Sequence, residues 1–533
     1  MPDHSNGATP NGHHNGRHPS NVPAPVLGIE ALTASPPPRR GVKGIPWRVA
    51  AVIPGFGKHK DVELLLKDLS RLDLRGIEFW AVLVDNATPN RPLSDVPLPP
   101  GSTLRLEHYR LNENTGGAGG FNAGMARVLA GQGLSGEFDA PDFLWLVDSD
   151  ARVSRRSLRE LVKALIKHKN LCAVGSALVD RSTGAVYEIG GRVSRDRGEW
   201  YPAGAGNPDQ RILVKCDYLA ACSALVRRDA IEQTGLMPDI FIHGDDVQWM
   251  VRLARTTGKK IRGVVTSRVY HPHFLGKFQT WTRYYGCRNS FAAIDAMKLG
   301  PKVRYRKAMV ETQRAVCQSM MGLDELAELH IQGIQDAAAC RTKGHHIAMG
   351  RDNLLKLYKP QPISTLAAAI SEERTRMGGG TTVWVHPLLI AHPLDFADLK
   401  AEVSKLGLSL KVDKYWKHRH RFERKKRDAV KAFWRAFIAG PTADIAIVPT
   451  GWPTGWFRGK VHYEVTPDGY YRREIKVRER LKKTADVFWR GWKAARAVAA
   501  RTVYVDTLLP APKRSTPAAA AIPHPPERAL AAR

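Results

Sequence analysis

From Val49 to about Val265, short runs that are apolar at every position alternate with stretches that are apolar every third or fourth residue. Val49–Ile53 is the first run, closed by Pro54-Gly55, and Val62, Leu65, Leu66, Leu69 and Leu72 then keep one helical face. Phe79–Val84 ends in Asp85-Asn86, Leu104–Leu111 is more polar, and Phe143–Val147 ends in Asp148-Ser149-Asp150. Ser157 with Glu160 reads as a capping box, and Leu158, Leu161, Val162, Leu165 and Ile166 line the face that follows. Shorter strands are expected at Leu171–Leu178, Val186–Ile189, Leu213–Tyr218, Ala224–Arg227 and Ile261–Val265. A run apolar throughout suits a strand covered on both faces. Strands alternating with helices predict an α/β fold with a mostly parallel, doubly wound sheet, whose functional groups gather at one edge.

Beyond Phe278 the pattern becomes helical to about Leu357. Residues 360–380 are rich in Pro, Ser and Gly and read as linker or exposed loop. Thr381–Ile390 is a strand candidate, and helices are expected at 423–438 and 476–504. The organisation expected is therefore a disordered tail (1–44), an α/β domain (45–292), a helical extension (293–358), a linker (359–380), a basic C-terminal domain suited to membrane-surface docking (381–509), and a disordered Pro/Ala-rich tail (510–533).

Charge adds a preference among partners. Lys and Arg number 81 against 51 Asp and Glu, a formal net charge of +30, which favours polyanions: nucleic acid, an anionic membrane surface or phosphate-rich substrates. The six cysteines (Cys172, Cys216, Cys222, Cys287, Cys317, Cys340) form no C-x-x-C pair and read as reduced thiols of a cytosolic protein. No apolar run approaches the roughly 18–20 residues of a spanning helix. The polar N-terminus lacks the apolar core of a secretory signal.

The chemistry-bearing residues fall at strand ends. Residues two apart on a strand point the same way, so Asp148 and Asp150 can aim two carboxylates at one divalent cation carrying a phosphate. Asn114-Thr115-Gly116-Gly117-Ala118-Gly119-Gly120-Phe121 reads as a turn between strand and helix that lets a ligand approach the backbone. Its spacing is neither G-x-G-x-x-G nor a Walker A loop. Asp85-Asn86 suits either contact with a nucleotide or a plain Asx turn. In Phe241-Ile242-His243-Gly244-Asp245-Asp246-Val247-Gln248-Trp249, either an acid serves as general base or both are favourable charges in a helix first turn. His271 can add a nitrogen ligand, and Trp281, Tyr284, Tyr285, Arg288 and Asn289 suit either core packing or a wall beside the site.

In that order, Asp85-Asn86, Asn114 to Phe121, Val147 to Asp150, Asp245-Asp246 and Tyr284-Tyr285-x-x-Arg288-Asn289 resemble a family 2 glycosyltransferase of the GT-A fold over about residues 46–292. The glycine segment is similar to the branch holding rhamnosyltransferases and galactofuranosyltransferases. The resemblance implies a nucleotide-sugar donor, UDP-galactofuranose or alternatively dTDP-rhamnose, held by Pro54, Asp85, Asn114, Gly116, Gly117, Gly119, Gly120, Asp148 and Ser149. It implies Mn²⁺ or Mg²⁺ on Asp148, Asp150 and His271, and Asp246 as the base that activates the acceptor hydroxyl. His243, Asp245, Trp249, Tyr284 and Arg288 would contact the acceptor, a lipid-linked cell-envelope glycan. Gly244 stands where the family often has an aromatic residue, and Gln248 where it often has Glu.

Val477, Leu481, Phe488, Trp492, Ala495 and Ala499 keep a helical face, with Lys476, Arg480, Lys483, Arg490, Lys493 and Arg496 on the others. This is the pattern of an interfacial helix on an anionic membrane, here the inner face of the cell membrane, and equally of a domain helix with a solvated basic side. The rival reading is a basic nucleic-acid-binding protein, with Lys425-Lys426-Arg427 as its patch. No recognised nucleic-acid module accompanies that run, and nucleic acid is not expected as a partner.

Overall fold

The computed structural model describes residues 46–138, 140–181, 184–203, 213–271, 282–320, 323–341, 361–378, 381–385, 397–407, 444–449, 461–466, 469–474 and 477–501. The expected tails and the helix at 423–438 fall outside these residues, as does the rest of the strand candidate beyond Val385.

Through the first part of the chain the elements are β1 (Trp47–Gly55), α1 (His59–Leu69), β2 (Ile77–Asp85), β3 (Arg105–Arg110), α2 (Gly116–Leu129), β4 (Phe143–Val147), β5 (Arg152–Val153), α3 (Ser157–Lys167) and β6 (Leu171–Asp180). They continue with β7 (Val186–Glu188), β8 (Gly191–Ser194), β9 (Glu199–Pro202), β10 (Leu213–Lys215), β11 (Ser223–Arg227), α4 (Arg228–Thr234), α5 (Asp245–Thr257) and β12 (Lys260–His271). The main sheet runs β10-β12-β6-β11-β4-β1-β2-β3. The pairs β4-β1, β1-β2, β2-β3 and β6-β12 are parallel, while β11 lies antiparallel to both of its neighbours. The expected α/β class and mostly parallel sheet are what the structure has.

Strand periodicity distributes the core to two sides of this sheet. Val49, Ala51 and Ile53 of β1 pack with Val62, Leu65, Leu158 and Leu161 of α1 and α3. Ala50 and Val52 pack on the other side with Phe121, Met125, Trp249 and Met250 of α2 and α5. Helices on both faces explain why β4 and β6 are buried at every position.

Three helices follow: α6 (Thr282–Ala296), α7 (Pro301–Met320) and α8 (Asp324–Ala338). A second sheet, β13 (Val383–Val385), β14 (Ile445–Pro449), β15 (Val461–Thr466) and β16 (Gly469–Glu474), pairs in sequence order. α9 (Leu366–Met377) precedes this sheet, α10 (Ala397–Lys405) falls between β13 and β14, and α11 (Val477–Ala500) comes last.

Two local expectations change. Residues 366–377, read as linker, form α9, because Leu366 and Ile370 find an apolar partner in the second sheet and α10. Ser157 does not cap α3: it lies inside the first turn, and its hydroxyl donates to the Ser154 and Arg268 carbonyls, tying α3 to β12. The Glu160 carboxylate correspondingly turns to Lys163 and Thr266.

Candidate active site

At the carboxyl edge of the sheet, β4 stops at Val147, and the Ala151 amide donates to the Asp148 carbonyl at 3.1 Å. The chain thus turns after Asp148, and it is this turn, rather than strand alternation, that brings Asp148 and Asp150 together. His271 arrives from the end of β12. Its Nε2 lies 3.6 Å from Asp148 Oδ2 and 3.3 Å from Asp150 Oδ1. One ligand atom from each of the three lies within 4.8 Å of the others. Two hard oxygens with one imidazole nitrogen form a donor set that fits Mn²⁺ or Mg²⁺.

Tyr187 and Lys58 complete this corner, and neither was legible in the sequence. The Tyr187 hydroxyl is 3.1 Å from His271 Nδ1. If Nδ1–H donates to that oxygen, the Nε2 lone pair faces the carboxylates, as a metal-bound histidine requires. Lys58 Nζ sits 2.8 Å from Asp150 Oδ2. Burial works against the Lys58 charge, but Asp150 and then Asp148 outweigh it and raise its pKa.

A second trio, Cys287, Glu311 and His330, also meets the spacing of a metal site among the described residues. Its carboxylate is already neutralised: Lys307 and Arg314 lie 2.8 and 2.6 Å from Glu311 Oε1, and His330 Nδ1 is 2.8 Å from Oε2. It reads as a buried polar staple between α7 and α8.

The glycine segment is the first turn of α2, not a free turn before it. Asn86 holds its start, accepting from the Thr115 amide and hydroxyl and donating to the Gly116 carbonyl. Asn114 accepts from the Gly116 amide. Gly116 has φ +75°, and a Cβ there would lie 2.2 Å from the Phe241 carbonyl oxygen; at Gly120 it would lie 2.7 Å from Pro54 Cβ, and at Gly119 2.4 Å from Thr115 Cβ. Packing therefore accounts for these three. At Gly117 the nearest atom to such a Cβ, Ile242 Cγ1, is 3.9 Å away, an ordinary van der Waals contact that a methyl group can make.

Asp85 is 4% exposed and committed to its own loop, accepting from the Thr88 and Leu93 amides and pairing with Arg110. Burial raises its pKa, but these hydrogen bonds and the Arg110 charge hold it below the usual carboxylate range. Its direct part is to fix residues 86–93.

Asp245 and Asp246 open α5 after a loop in which Phe241, His243 and Gly244 all have positive φ. Backbone strain of this kind persists only where the surroundings hold it. Asn289 does so, donating to the Ile240, Ile242 and His243 carbonyls, and Arg288 donates to the Ile240 carbonyl. Asp246 accepts from the Val247 amide at 2.7 Å and the Ala221 amide at 3.3 Å. Burial raises both acids, Asp246 adds to the rise of Asp245, and the Asp148 charge acts on each. A carboxylate held above its usual range can take a proton near neutral pH.

The expected acceptor wall is corrected. Tyr284 and Tyr285 are 0% exposed and Arg288 1%; they stack behind the 240–244 loop, with the Tyr284 hydroxyl on Asp336. Trp249 is in the core and donates to the Gly235 carbonyl. Aromatic and cationic residues on a helix looked like a binding wall because sequence does not say which face is inward. His243 is exposed, and Trp281 lies outside the described residues.

Residues 82–235 match the family model Glycosyl transferase family 2. The match includes Asp85, the glycine segment and Asp148-Ser149-Asp150, and stops before Asp246 and His271. No curated protein matches the chain. Among solved structures, GalNAc-T7 with UDP, GalNAc and Mn²⁺ is similar at 14% identity and TM-score 0.39, over 56% of this chain and 58% of that one. S. aureus TarS 1-349 in complex with UDP gives 13% and 0.37, over 69% and 94%. The mannosyltransferase PcManGT from Pyrobaculum calidifontis with GDP-Man and Mn²⁺ gives 14% and 0.34, over 72% and 93%. None is similar enough to lend its substrate to this chain. Residues 82–235 thus carry a glycosyl transferase family 2 domain within a GT-A-like sheet, which supports a glycosyltransferase.

Proposed function

We propose that the protein is a metal-dependent inverting glycosyltransferase that moves a sugar, galactofuranose from UDP-galactofuranose in the favoured reading, onto a lipid-linked cell-envelope glycan. The observation that carries the metal-dependent reading is the convergence of Asp148, Asp150 and His271, with Asp246 close enough to feel the Asp148 charge. When bound, Mn²⁺ or Mg²⁺ would neutralise charge on the departing diphosphate. Asp148, Asp150 and His271 would hold it, with Tyr187 fixing the imidazole.

The step itself is a single displacement. Asp246 takes the proton of the acceptor hydroxyl, that oxygen forms the new bond to the anomeric carbon, and the bond from that carbon to the diphosphate oxygen breaks. Asp245 helps hold the acceptor. No enzyme nucleophile is needed, so the anomeric configuration inverts. The donor would rest against Pro54, Ser149 and Gly117, whose missing side chain leaves room for close approach. A lipid-linked acceptor suits a protein whose surface carries a basic, aromatic helix, α11.

Thermal stability with UDP, dTDP and Mn²⁺ tests the donor reading. UDP with Mn²⁺ should stabilise the wild type, and Asp148→Ala/Asp150→Ala should lose that gain. Turnover of a panel of UDP- and dTDP-sugars then identifies the donor, and a response to dTDP-rhamnose alone would replace galactofuranose.

A further inference from the structure

The face of the molecule built by α1 and α3 carries a cluster of arginines that sugar transfer does not use. The chain leaves α1 through Arg71, Asp73 and Arg75, and the Asp73 amide donates to the Arg155 carbonyl at 2.8 Å. That bond sets the loop against Arg155 and Arg156, which precede α3, and Arg159 stands in the first turn of that helix. Asp73 is 7% exposed and pairs with Arg75 Nη2 at 2.6 Å and Arg159 Nη1 at 2.7 Å. Arg71, Arg155 and Arg156 are exposed and have no acidic partner among the described residues. Asp68, at the end of α1, is taken by Arg152. Five arginines thus stand around one buried carboxylate. Like charges so close repel, and a polyanion laid over them relieves that cost.

An apolar loop stands beside them. The hydroxyl of Ser70, next to Arg71, bonds to the Ser102 hydroxyl at 2.7 Å. Ser102 closes a turn, its amide donating to the Pro99 carbonyl at 3.0 Å, with Gly101 at φ +71°. The segment held this way, Pro97-Leu98-Pro99-Pro100, has no charge, and Pro97, Leu98 and Pro100 are exposed. Few large apolar side chains among the described residues are as open as Leu98, at 36%. Proline has no backbone N–H, so three of these four residues bring no donor that would need water. Such a loop can enter an apolar phase at little cost in lost hydrogen bonds.

An uncharged apolar loop beside clustered arginines selects among polyanions. A nucleic acid would use the guanidiniums and leave Leu98 idle. An anionic bilayer takes both parts, with phosphate oxygens on the arginine forks and Leu98 among the upper acyl chains. We propose that the α1–α3 face is a docking surface for anionic lipid bilayer, with Arg71, Arg75, Arg155, Arg156 and Arg159 on the headgroup phosphates and the Pro97–Pro100 loop in the interface. This contact belongs to the catalytic domain, lies on other elements than α11, and holds whichever sugar is transferred. Asp245 and Asp246 open α5, which packs on the opposite side of the sheet, so docking here leaves them uncovered.

Flotation of the full chain with phosphatidylglycerol–phosphatidylcholine vesicles, against phosphatidylcholine alone, tests it. Each arginine near an anionic surface contributes about fivefold in affinity. Arg71→Ser/Arg155→Ser/Arg156→Ser should therefore bind the anionic vesicles at least about tenfold more weakly, with little change in Tm because these side chains are exposed. Arg71→Lys/Arg155→Lys/Arg156→Lys keeps the charge and should retain most of the binding. Leu98→Glu should weaken binding at low and at high salt, because what it removes is apolar. Binding equal to wild type in both the serine triple and Leu98→Glu overturns the proposal, as does a wild type that floats with no anionic vesicle. Oligonucleotide binding that the serine triple abolishes, with vesicle binding intact, assigns the arginines to nucleic acid and likewise overturns it. Should the serine triple fail to fold, Leu98→Glu alone decides.

Discussion

Lys58 sits on Asp150 Oδ2, beside the Oδ1 that faces His271, and so competes with a divalent cation for the charge of that carboxylate. It is half exposed and the carboxylate is buried, so the ammonium can swing away while Asp150 stays. Lys58→Met should therefore raise Mn²⁺ affinity, by about tenfold if one charge-assisted hydrogen bond is removed from the competition, read by titrating Mn²⁺ against thermal stability. Unchanged affinity would mean that Lys58 and the cation use the carboxylate together. Asp246 carries the pH dependence. Its pKa is raised by burial, so it loses its charge, and with it the ability to accept a proton, at a higher pH than an ordinary aspartate at about 3.9. The acid limb of kcat/KM should lie well above pH 4. Asp246→Asn should cut kcat by about 10² to 10⁴ and leave UDP–Mn²⁺ stabilisation in place. Stability runs the same way for Asp245, Asp246 and Glu188, whose carboxyl burial pushes up to about 8. Above the unfolded pKa, near 4, the unfolded state ionises while the folded state keeps its protons, so each group makes folding less favourable as pH rises until it titrates. Maximum stability should then lie on the acid side of neutrality, with a smaller slope in Glu188→Gln; a slope equal to wild type would mean that Glu188 ionises normally.

Two glycines one position apart separate packing from ligand contact on α2. Gly116→Ala places a methyl group on the Phe241 carbonyl and forces an L-residue into positive φ, which alone costs about 1–2 kcal/mol. The loop that presents Asp245 and Asp246 should shift, and both stability and transfer should fall. Gly117→Ala meets only Ile242 Cγ1, at an ordinary contact distance of 3.9 Å, so it should fold like wild type, and any loss of UDP binding would identify Gly117 as the point of donor approach. If both variants bind UDP normally and retain transfer, the glycine turn serves packing that the chain can relax. The same helix shows what was legible in the sequence. The strands with unbroken apolar runs, β1, β2, β4 and β6, were found, because burial on both faces leaves an unmistakable pattern. Strand-end positions also made Asp148, Asp150 and His271 candidates for one edge of the sheet, and their ligand atoms lie within 4.8 Å of one another. Lys58 and Tyr187 were missed because the register of β7 on β6, and the fold of a short loop after β1, bring distant residues together with no periodic signal. Tyr284, Arg288 and Trp249 were misread for a related reason: helix α6 is buried nearly all round, so no polar face distinguishes a wall from a core.

At the scale of the molecule, α11 carries two apolar faces with different partners. Thr484, Val487, Gly491, Ala494, Ala495 and Val498 are buried on the side packed against α7 and α8. The fit is close: a Cβ on Gly491 would come within 2.4 Å of Thr312. Arg501, just beyond the helix, pairs with the buried Asp295 of α6, which also holds Arg304. Residues far apart in sequence thus close one helical layer beside the sheet. The other face remains outward, with Leu481, Phe488 and Trp489 at 56, 47 and 51% exposure. Trp489 stacks on Trp492, and Lys493 and Arg496 lie over the two rings. Among the described residues no helix is long and apolar enough to cross a membrane, so a lipid contact here would be interfacial. Aromatic rings flanked by basic residues suit an anionic bilayer surface, where each Lys or Arg adds about 1 kcal/mol. The full chain should float with anionic vesicles at low salt and much less at high salt, and weakly with neutral ones. Leu481→Ser/Phe488→Ser/Trp489→Ser should reduce flotation at least about tenfold with little change in Tm, because exposed substitutions leave the inner seam intact. Gly491→Leu supplies the contrast, lowering Tm by wedging the helix off α7. Flotation unaffected by the outer triple change would move the membrane contact to another basic segment. No flotation in wild type, with concentration-dependent association that the triple change abolishes, would make the aromatic stripe a contact between copies of the chain instead.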